Sequence, residues 1–256
     1  MTDAVSGDTF YDLPGVSEEY LRRRSQTGHP NDLMEEPYVR ELMGPVTGRS
    51  FLDLGCGDAR FGRALLDEGA ERYVGVDASR RLLEHAPPAT DRLRVQHATL
   101  RDWRPEPGSA DVVTARMVLH YLPDLGDLLE RVRSALRPGG AFVLSVEHPT
   151  LTSCYDLADQ EDFPRSWLVR DYFRPGPRPL HWLGGTVVKH HRSIEDYLTC
   201  LEGAGLRLAA LREGRPRNGT LDEETLRARQ HVPMYLIVKA VLPADRAGAA
   251  QSWTVP

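Results

Sequence analysis

Cysteine is scarce in this chain of 256 residues: Cys56, Cys154 and Cys200 lie far apart and are odd in number. No C-x-x-C pair is present, which excludes a cysteine-based zinc knuckle or dithiol redox centre and fits a reducing compartment. Lysine is scarcer still, with Lys189 and Lys239 alone, so nearly all positive charge is arginine, a bias expected of a GC-rich bacterial genome. Net positive charge is absent as well. The formal charge of −5 and the pI of about 6.0 remove any global attraction to nucleic acid. No apolar run approaches the roughly 20 residues of a membrane-spanning helix, and the opening Met1-Thr2-Asp3-Ala4 lacks the basic and apolar regions of a leader. These absences predict a soluble, cytoplasmic protein with neither nucleic acid nor membrane as partner. The length allows one full α/β domain with appended structure, and no internal repeat divides it.

Glycine, by contrast, is placed with purpose. Phe51-Leu52-Asp53-Leu54-Gly55-Cys56-Gly57 runs from an apolar stretch into a tight turn, and Val74-Gly75-Val76-Asp77 ends a second apolar stretch about twenty residues later. A strand, glycine turn, helix and second strand ending in an acid describe a βαβ nucleotide site, with Asp77 placed to accept from ribose hydroxyls. Dinucleotide sites use G-x-G-x-x-G, and here Arg60 stands where the third glycine would be. Asp53 would repel a pyrophosphate but suits an ammonium group. A ligand with ribose and no phosphate therefore fits better, and S-adenosylmethionine is such a molecule.

Five landmarks in order carry a family resemblance: Asp53-x-Gly55-x-Gly57, Asp77, the apolar run from Ala110 to Ala115, Leu119-His120-Tyr121-Leu122-Pro123, and Leu136-Arg137-Pro138-Gly139-Gly140. Over residues 50–147 the chain resembles the class I S-adenosylmethionine-dependent methyltransferases. Asn31-Asp32, Glu36-Pro37, Val146-Glu147-His148-Pro149 and Lys189-His190-His191-Arg192-Ser193 extend the likeness to a bacterial small-molecule branch, type 11-like. The resemblance implies a Rossmann-like, doubly wound α/β sheet of seven strands, mostly parallel with an antiparallel closing strand. It also implies an enzyme that turns S-adenosylmethionine into S-adenosylhomocysteine.

Periodicity places strands near 50–54, 73–77, 93–97, 110–115, 140–146, 206–211 and 232–240, and helices near 17–25, 32–43, 59–68, 79–86, 124–137 and 193–204. One domain is expected: a helical cap over 1–45, a cofactor-binding core over 46–147, an aromatic-rich lid over 148–190, the rest of the core over 191–242 and a loose tail over 243–256. In such sheets the loops after the strands share one edge, which gathers Gly55, Asp77, Thr99, His120 and Glu147 around one cleft.

The resemblance implies cofactor contacts from Asp53, Gly55, Cys56, Gly57, Asp77, Ala78, Thr99, Leu100 and Ala115. From the cap it implies Tyr20 and one of Arg22, Arg23 or Arg24, with Arg24 chosen. Asp53 either holds the methionine ammonium or pins its own loop. Relatives often carry an aspartate for the adenine after the third strand; Ala98-Thr99-Leu100 stands there, and Asp102 follows as either a substitute or a surface turn. His120 is the candidate general base or a pocket-shaping residue. Arg116 either orients an anionic substrate or is neutralised by Glu147. Glu147, Tyr155, Trp167, Tyr172, Trp182 and His191 are candidate substrate contacts, the aromatics serving equally well as the lid's own core; His148, His181 and His190 are weaker candidates. No metal is expected. The predicted reaction is in-line methyl transfer to a small molecule, with an aromatic secondary metabolite in view and a homodimer as the oligomer considered. The rival readings are a non-catalytic S-adenosylmethionine-binding regulator and an NAD(P)-dependent oxidoreductase.

Overall fold

The structure is a computed structural model that describes residues 4–153, 168–216 and 223–244. Seven strands form the central sheet: β1 (Ser50–Leu54), β2 (Arg72–Asp77), β3 (Leu93–His97), β4 (Ala110–Arg116), β5 (Leu136–Glu147), β8 (Arg207–Glu213) and β9 (Tyr235–Val241). Between them, β6 (Gly176–Trp182) and β7 (Gly185–His191) make a separate two-stranded sheet. The helices are α1 (Gly7–Phe10), α2 (Val16–Arg24), α3 (Glu36–Met43), α4 (Arg60–Asp67), α5 (Arg80–Leu83), α6 (Gly126–Ala135), α7 (Pro149–Thr152), α8 (Ile194–Gly203) and α9 (Glu223–Ala228).

The sheet order is β3-β2-β1-β4-β5-β9-β8. All pairs from β3 to β5 are parallel, and β9 runs antiparallel to both β5 and β8. Every residue of β1 is buried, as a central parallel strand with both faces covered requires. On one face Leu52 and Leu54 join Leu128, Leu129 and Val132 of α6 and Leu201 of α8. On the other, Phe51, Tyr73 and Val112 join Val39 and Met43 of α3 and Phe61 and Leu65 of α4. The chain leaves β1 toward β2 on one side and reaches β4 on the other, so the order reverses between β1 and β4. A ligand crevice opens there, beyond the carboxyl ends of those two strands.

Two cap and lid details depart from the periodicity. The helix expected over 32–43 is divided into a π-helical turn (Asn31–Glu35) and α3, because Pro37 has no N–H for the carbonyl four residues earlier. The lid segment, expected as an irregular cover, contains the β6–β7 hairpin, whose turn places Leu183 and Gly184 at φ 49° and 80°. Pro177 and Pro179 sit on β6, which among the described residues pairs on one side only, where proline is tolerated. The free edge of β7 is taken by Val5, whose N–H donates to Thr186 O at 3.0 Å while Val188 N–H donates to Val5 O at 2.9 Å. Beneath that contact Phe10, Val16 and Val187 form a small apolar core.

Candidate active site

The glycine turn after β1 is shaped by what its residues lack. Gly55 has φ 74° and a Cβ there would stand 2.7 Å from Val118, so neither conformation nor space admits a side chain. Gly57 also has positive φ, but nothing lies within 4 Å of where its Cβ would be, leaving room at the crevice. Asp77 ties the loops together: Oδ2 accepts from Gly57 N–H at 2.7 Å and Oδ1 from Ser79 N–H at 2.8 Å. Burial raises its pKa against the opposing pull of those two donors. Ser79 in turn donates from Oγ to Asp12 at 2.6 Å, anchoring the N-terminal segment to this loop.

Asp53 turns inward from β1. It is buried, and its carboxylate accepts from Tyr73 OH at 2.8 Å and Thr114 Oγ1 at 2.6 Å, binding β2 and β4 to β1. Burial pushes its pKa up. Neither reading of Asp53 describes these bonds, which tie neighbouring strands through side chains rather than pin the loop through its backbone. Asp53 also borders a small recess of about 70 Å³ shared with Tyr20, Arg24, Cys56, Arg60 and Phe61. Arg116 likewise has a different partner from the one expected. Its guanidinium is neutralised by Glu35, at 2.5 Å, and by Glu36, at 3.1 Å, not by Glu147. It lies 4.2 Å over the Phe61 ring, and Glu35, fully buried, also accepts from Ser145 Oγ at 2.6 Å.

A cavity of about 400 Å³ runs from the glycine turn to the lid. Gly55, Gly57, Asp77, Ala78, Leu82 and Leu100 line one end. At the other stand Tyr11, Tyr121, Leu180 and Trp182, with Tyr11 and Tyr121 joined through their hydroxyls at 2.9 Å. Polar side chains enter this aromatic end as well, among them His120 from the 3₁₀ turn Leu119–Tyr121, Glu147 from the end of β5, and Lys189 from β7. Lys189 is ion-paired with Glu147 and lies 5.8 Å from the centroids of both Tyr121 and Trp182. Burial drives the His120 pKa down to about 3, so its ring is neutral. Its Nδ1 accepts from Glu147 N–H at 3.5 Å, a long bond that leaves the ring proton on Nε2.

Among the three cap arginines, Arg24 reaches both the cavity and the recess, held by Asp32 at 2.9 Å and His29 at 2.8 Å. Arg22 pairs outside with Glu19, and Arg23 shares Glu19 while lying 5.3 Å over Trp182. Thr99 bonds Asp102 at 2.7 Å in an exposed turn, so Asp102 is a surface turn residue. Thr99, Ala115, Tyr172 and His191 stand outside the cavity wall. Ala115 is sealed in the core, and both His191 nitrogens are engaged, by Thr152 Oγ1 at 2.6 Å and Tyr172 O at 2.9 Å. His148 caps α7 through Thr150 N–H, whereas His181 does line the cavity. Tyr155 and Trp167 lie outside the described residues. Lys189 and Tyr11 are cavity residues that the sequence motifs do not reveal; the alternation Gly185, Val187, Lys189, His191, all buried, is the signal that turns Lys189 inward.

Comparison with known proteins agrees with this architecture. Residues 29–211 match the family model described as a methyltransferase domain. An S-adenosylmethionine-dependent methyltransferase from Mesorhizobium loti superposes with TM-score 0.74 at 32% identity, covering 81% of this chain and 97% of that one. A Listeria monocytogenes structure called a putative S-adenosylmethionine-dependent methyltransferase gives TM-score 0.73 at 27% identity, over 81% and 96% of the two chains. The trans-aconitate 2-methyltransferase of an Azoarcus species is 30% identical over 171 residues, which span 64% of this chain and 66% of that relative. The chain therefore belongs to the methyltransferase domain family, and it is an S-adenosylmethionine-dependent methyltransferase.

Proposed function

We propose that this enzyme methylates a small molecule held at the lid end of the cavity, with the cofactor at the glycine-turn end. The observation that carries the reading is one cavity with two unlike ends, of a volume within the roughly 300–1,000 Å³ typical of small-ligand sites. The glycine-turn end fits S-adenosylmethionine. Open space stands where a Gly57 Cβ would be, and each Asp77 oxygen spends one lone pair on a backbone N–H and keeps another for a ribose hydroxyl. Ala78, Leu82 and Leu100 would flank the adenine, and Tyr20 and Arg24 the methionine tail, with a guanidinium suited to its carboxylate. When bound, the cofactor supplies a methyl group made electrophilic by its sulfonium.

The chain's own contribution is alignment and the exclusion of water. Well-oriented neighbours reach effective molarities on the order of 10⁵–10⁸ M. A planar acceptor suits Tyr11, Tyr121 and Trp182, and an aromatic secondary metabolite is the class we favour. A tricarboxylate such as that of the trans-aconitate relatives suits it less, because Lys189 is already neutralised by Glu147 and Arg116 by Glu35. His120, with its proton on Nε2, acts here as a donor toward the acceptor rather than as the base. We read 1–45, 46–147, 148–190 and 191–242 as cap, cofactor core, lid and closing part of a single catalytic domain.

Calorimetric titration with S-adenosylhomocysteine and with NAD tests the cofactor half: the first binds and the second does not. Asp77→Ala weakens S-adenosylhomocysteine at least tenfold while the circular dichroism spectrum is retained; equal affinity would remove Asp77 from the ribose. Transfer of a labelled methyl group across a panel of small acceptors tests the catalytic half, and no transfer to any of them would favour a regulatory binding protein.

A further inference from the structure

The aromatic end of the cavity carries unused hydrogen-bonding capacity of a particular kind. Lys189 is buried on β7 and spends one of its three N–H groups on Glu147 Oε1. Glu147 Oε2 has no hydrogen-bond partner among the described residues, and neither has His120 Nε2. The three groups converge on one cavity wall and offer one carboxylate acceptor next to several N–H donors. The titratable groups that feel the charge of Glu147 are Lys189 on β7, His120 and Tyr121 after β4, Tyr11 near the N-terminus, Tyr197 on α8 and Tyr235 on β9. The four tyrosines are pushed up by burial and stay neutral, so Lys189 is the positive charge that balances Glu147.

This arrangement discriminates among acceptors. A carboxylate would meet Glu147 as a like charge, and an ammonium would meet Lys189. A neutral hydroxyl can donate to Glu147 Oε2 while an oxygen beside it accepts from Lys189 and His120. Resting on the methyl-transfer reading above, we infer that the acceptor is a phenolic or enolic hydroxyl flanked by a second oxygen, and that Glu147 receives the hydroxyl proton. In the step, the O–H bond breaks and its proton passes to Glu147. An oxygen electron pair forms the new O–CH₃ bond, and the C–S bond breaks with its electron pair remaining on sulfur as a neutral thioether. Moving the proton to Glu147 shifts the negative charge onto the acceptor oxygen, still beside Lys189. The local net charge is zero before and after, so the dry site adds no charge-separation cost, and because the phenol is the weaker acid its proton moves as the O–CH₃ bond forms. Burial is the largest influence on the Glu147 carboxyl and pushes it up, but the charge and hydrogen bond of Lys189 together with His120 bring it below its ordinary range, so it rests ionised with Oε2 open to a donor.

The test uses 2-nitrophenol, whose anion absorbs visible light, with the protein saturated in S-adenosylhomocysteine. In the wild type the bound phenol, donating its O–H to the ionised Glu147, is expected to ionise at least one pH unit above its value in free solution, Glu147→Gln to bring it back toward that value, and Lys189→Met to raise it further. Methyl transfer to 2-acylphenols is expected to fall about 10²–10³-fold in Glu147→Gln at pH 6.5. It should recover as the pH approaches the phenol's own pKa, while Lys189→Met stays impaired at every pH. Both variants should bind S-adenosylhomocysteine like the wild type. Glu147→Gln within threefold of wild type at pH 6.5, no ionisation shift, or preferential methylation of the matched 2-acylanilines or benzoates would overturn the inference and leave the cofactor reading standing. Failure of the wild type to bind S-adenosylhomocysteine would instead overturn the reading beneath it.

Discussion

Glu35 is the residue on which the cap's seat depends. It is fully buried, holds Arg116 through two oxygens and takes a hydrogen bond from Ser145. Removing one partner of such a pair strands the other charge and typically costs about 3–5 kcal/mol. Glu35→Ala is expected to lose that much in urea unfolding, and Glu35→Ala with Arg116→Met to recover part of it. His120 sets a pH dependence of opposite chemistry. Its folded pKa, about 3, lies below the unfolded value of about 6.5, so between them the unfolded chain binds a proton that the folded chain refuses. Stability is therefore full above about pH 6.5 and declines as the pH falls toward 3, by about 2 kcal/mol at pH 5. Urea unfolding at pH 7 and pH 5 should show a shallower decline in His120→Gln; an equal decline would place its source elsewhere. At this scale the sequence was legible where the chemistry is local. Gly55, Gly57 and Asp77 lie within one βαβ unit, and their spacing alone locates the turn. Glu35 was not legible as the partner of Arg116, because that pairing depends on how a π-helical turn lands on a strand far away in the chain.

The lid hairpin and the N-terminal segment form one structural element although they are distant in sequence. Phe10 is fully buried beneath β7, close enough to Gly185 that a Cβ there would stand 2.9 Å from its ring. Phe10→Ala removes packing usually worth about 3–5 kcal/mol. The loss should be felt locally: hydrogen exchange is expected to quicken over residues 4–16 and 176–191 together, with β1, β4 and β5 unchanged. Faster exchange in the sheet as well would mean that the roof and core unfold as one unit. Strands and helices of the core were legible because apolar runs and glycine turns alternate there. The hairpin was not, since Pro177 and Pro179 argue against a strand unless it has a free edge, and edge status depends on the partner strand.

At the scale of the whole molecule, the match to the methyltransferase domain begins at residue 29, whereas Gly7, Asp8, Tyr11, Tyr20, Arg23 and Arg24 all line the cavity. The sheet supplies the floor and the first residues of the chain supply the roof. Deleting residues 1–15 is expected to leave a cooperatively folding core that binds S-adenosylhomocysteine more weakly, since Asp12 no longer anchors Ser79. Acceptor selectivity should be lost with the roof. A truncated protein with wild-type selectivity would show that the floor alone chooses the acceptor. A parallel sheet with a crevice beyond its strand ends was readable from the alternation of elements, the seven strands and antiparallel closing strand from the family resemblance, and residues 1–45 as a cap; that residues as early as Gly7, Asp8 and Tyr11 line the cavity was not, since that segment has little apolar periodicity.

Val5, Phe10 and Asp12 fasten that roof at three points close together along the backbone. None of the three is among the residues that line the cavity, so substitutions there are expected to alter how tightly the cover sits, and with it how fast product leaves, without changing any group beside the reacting atoms.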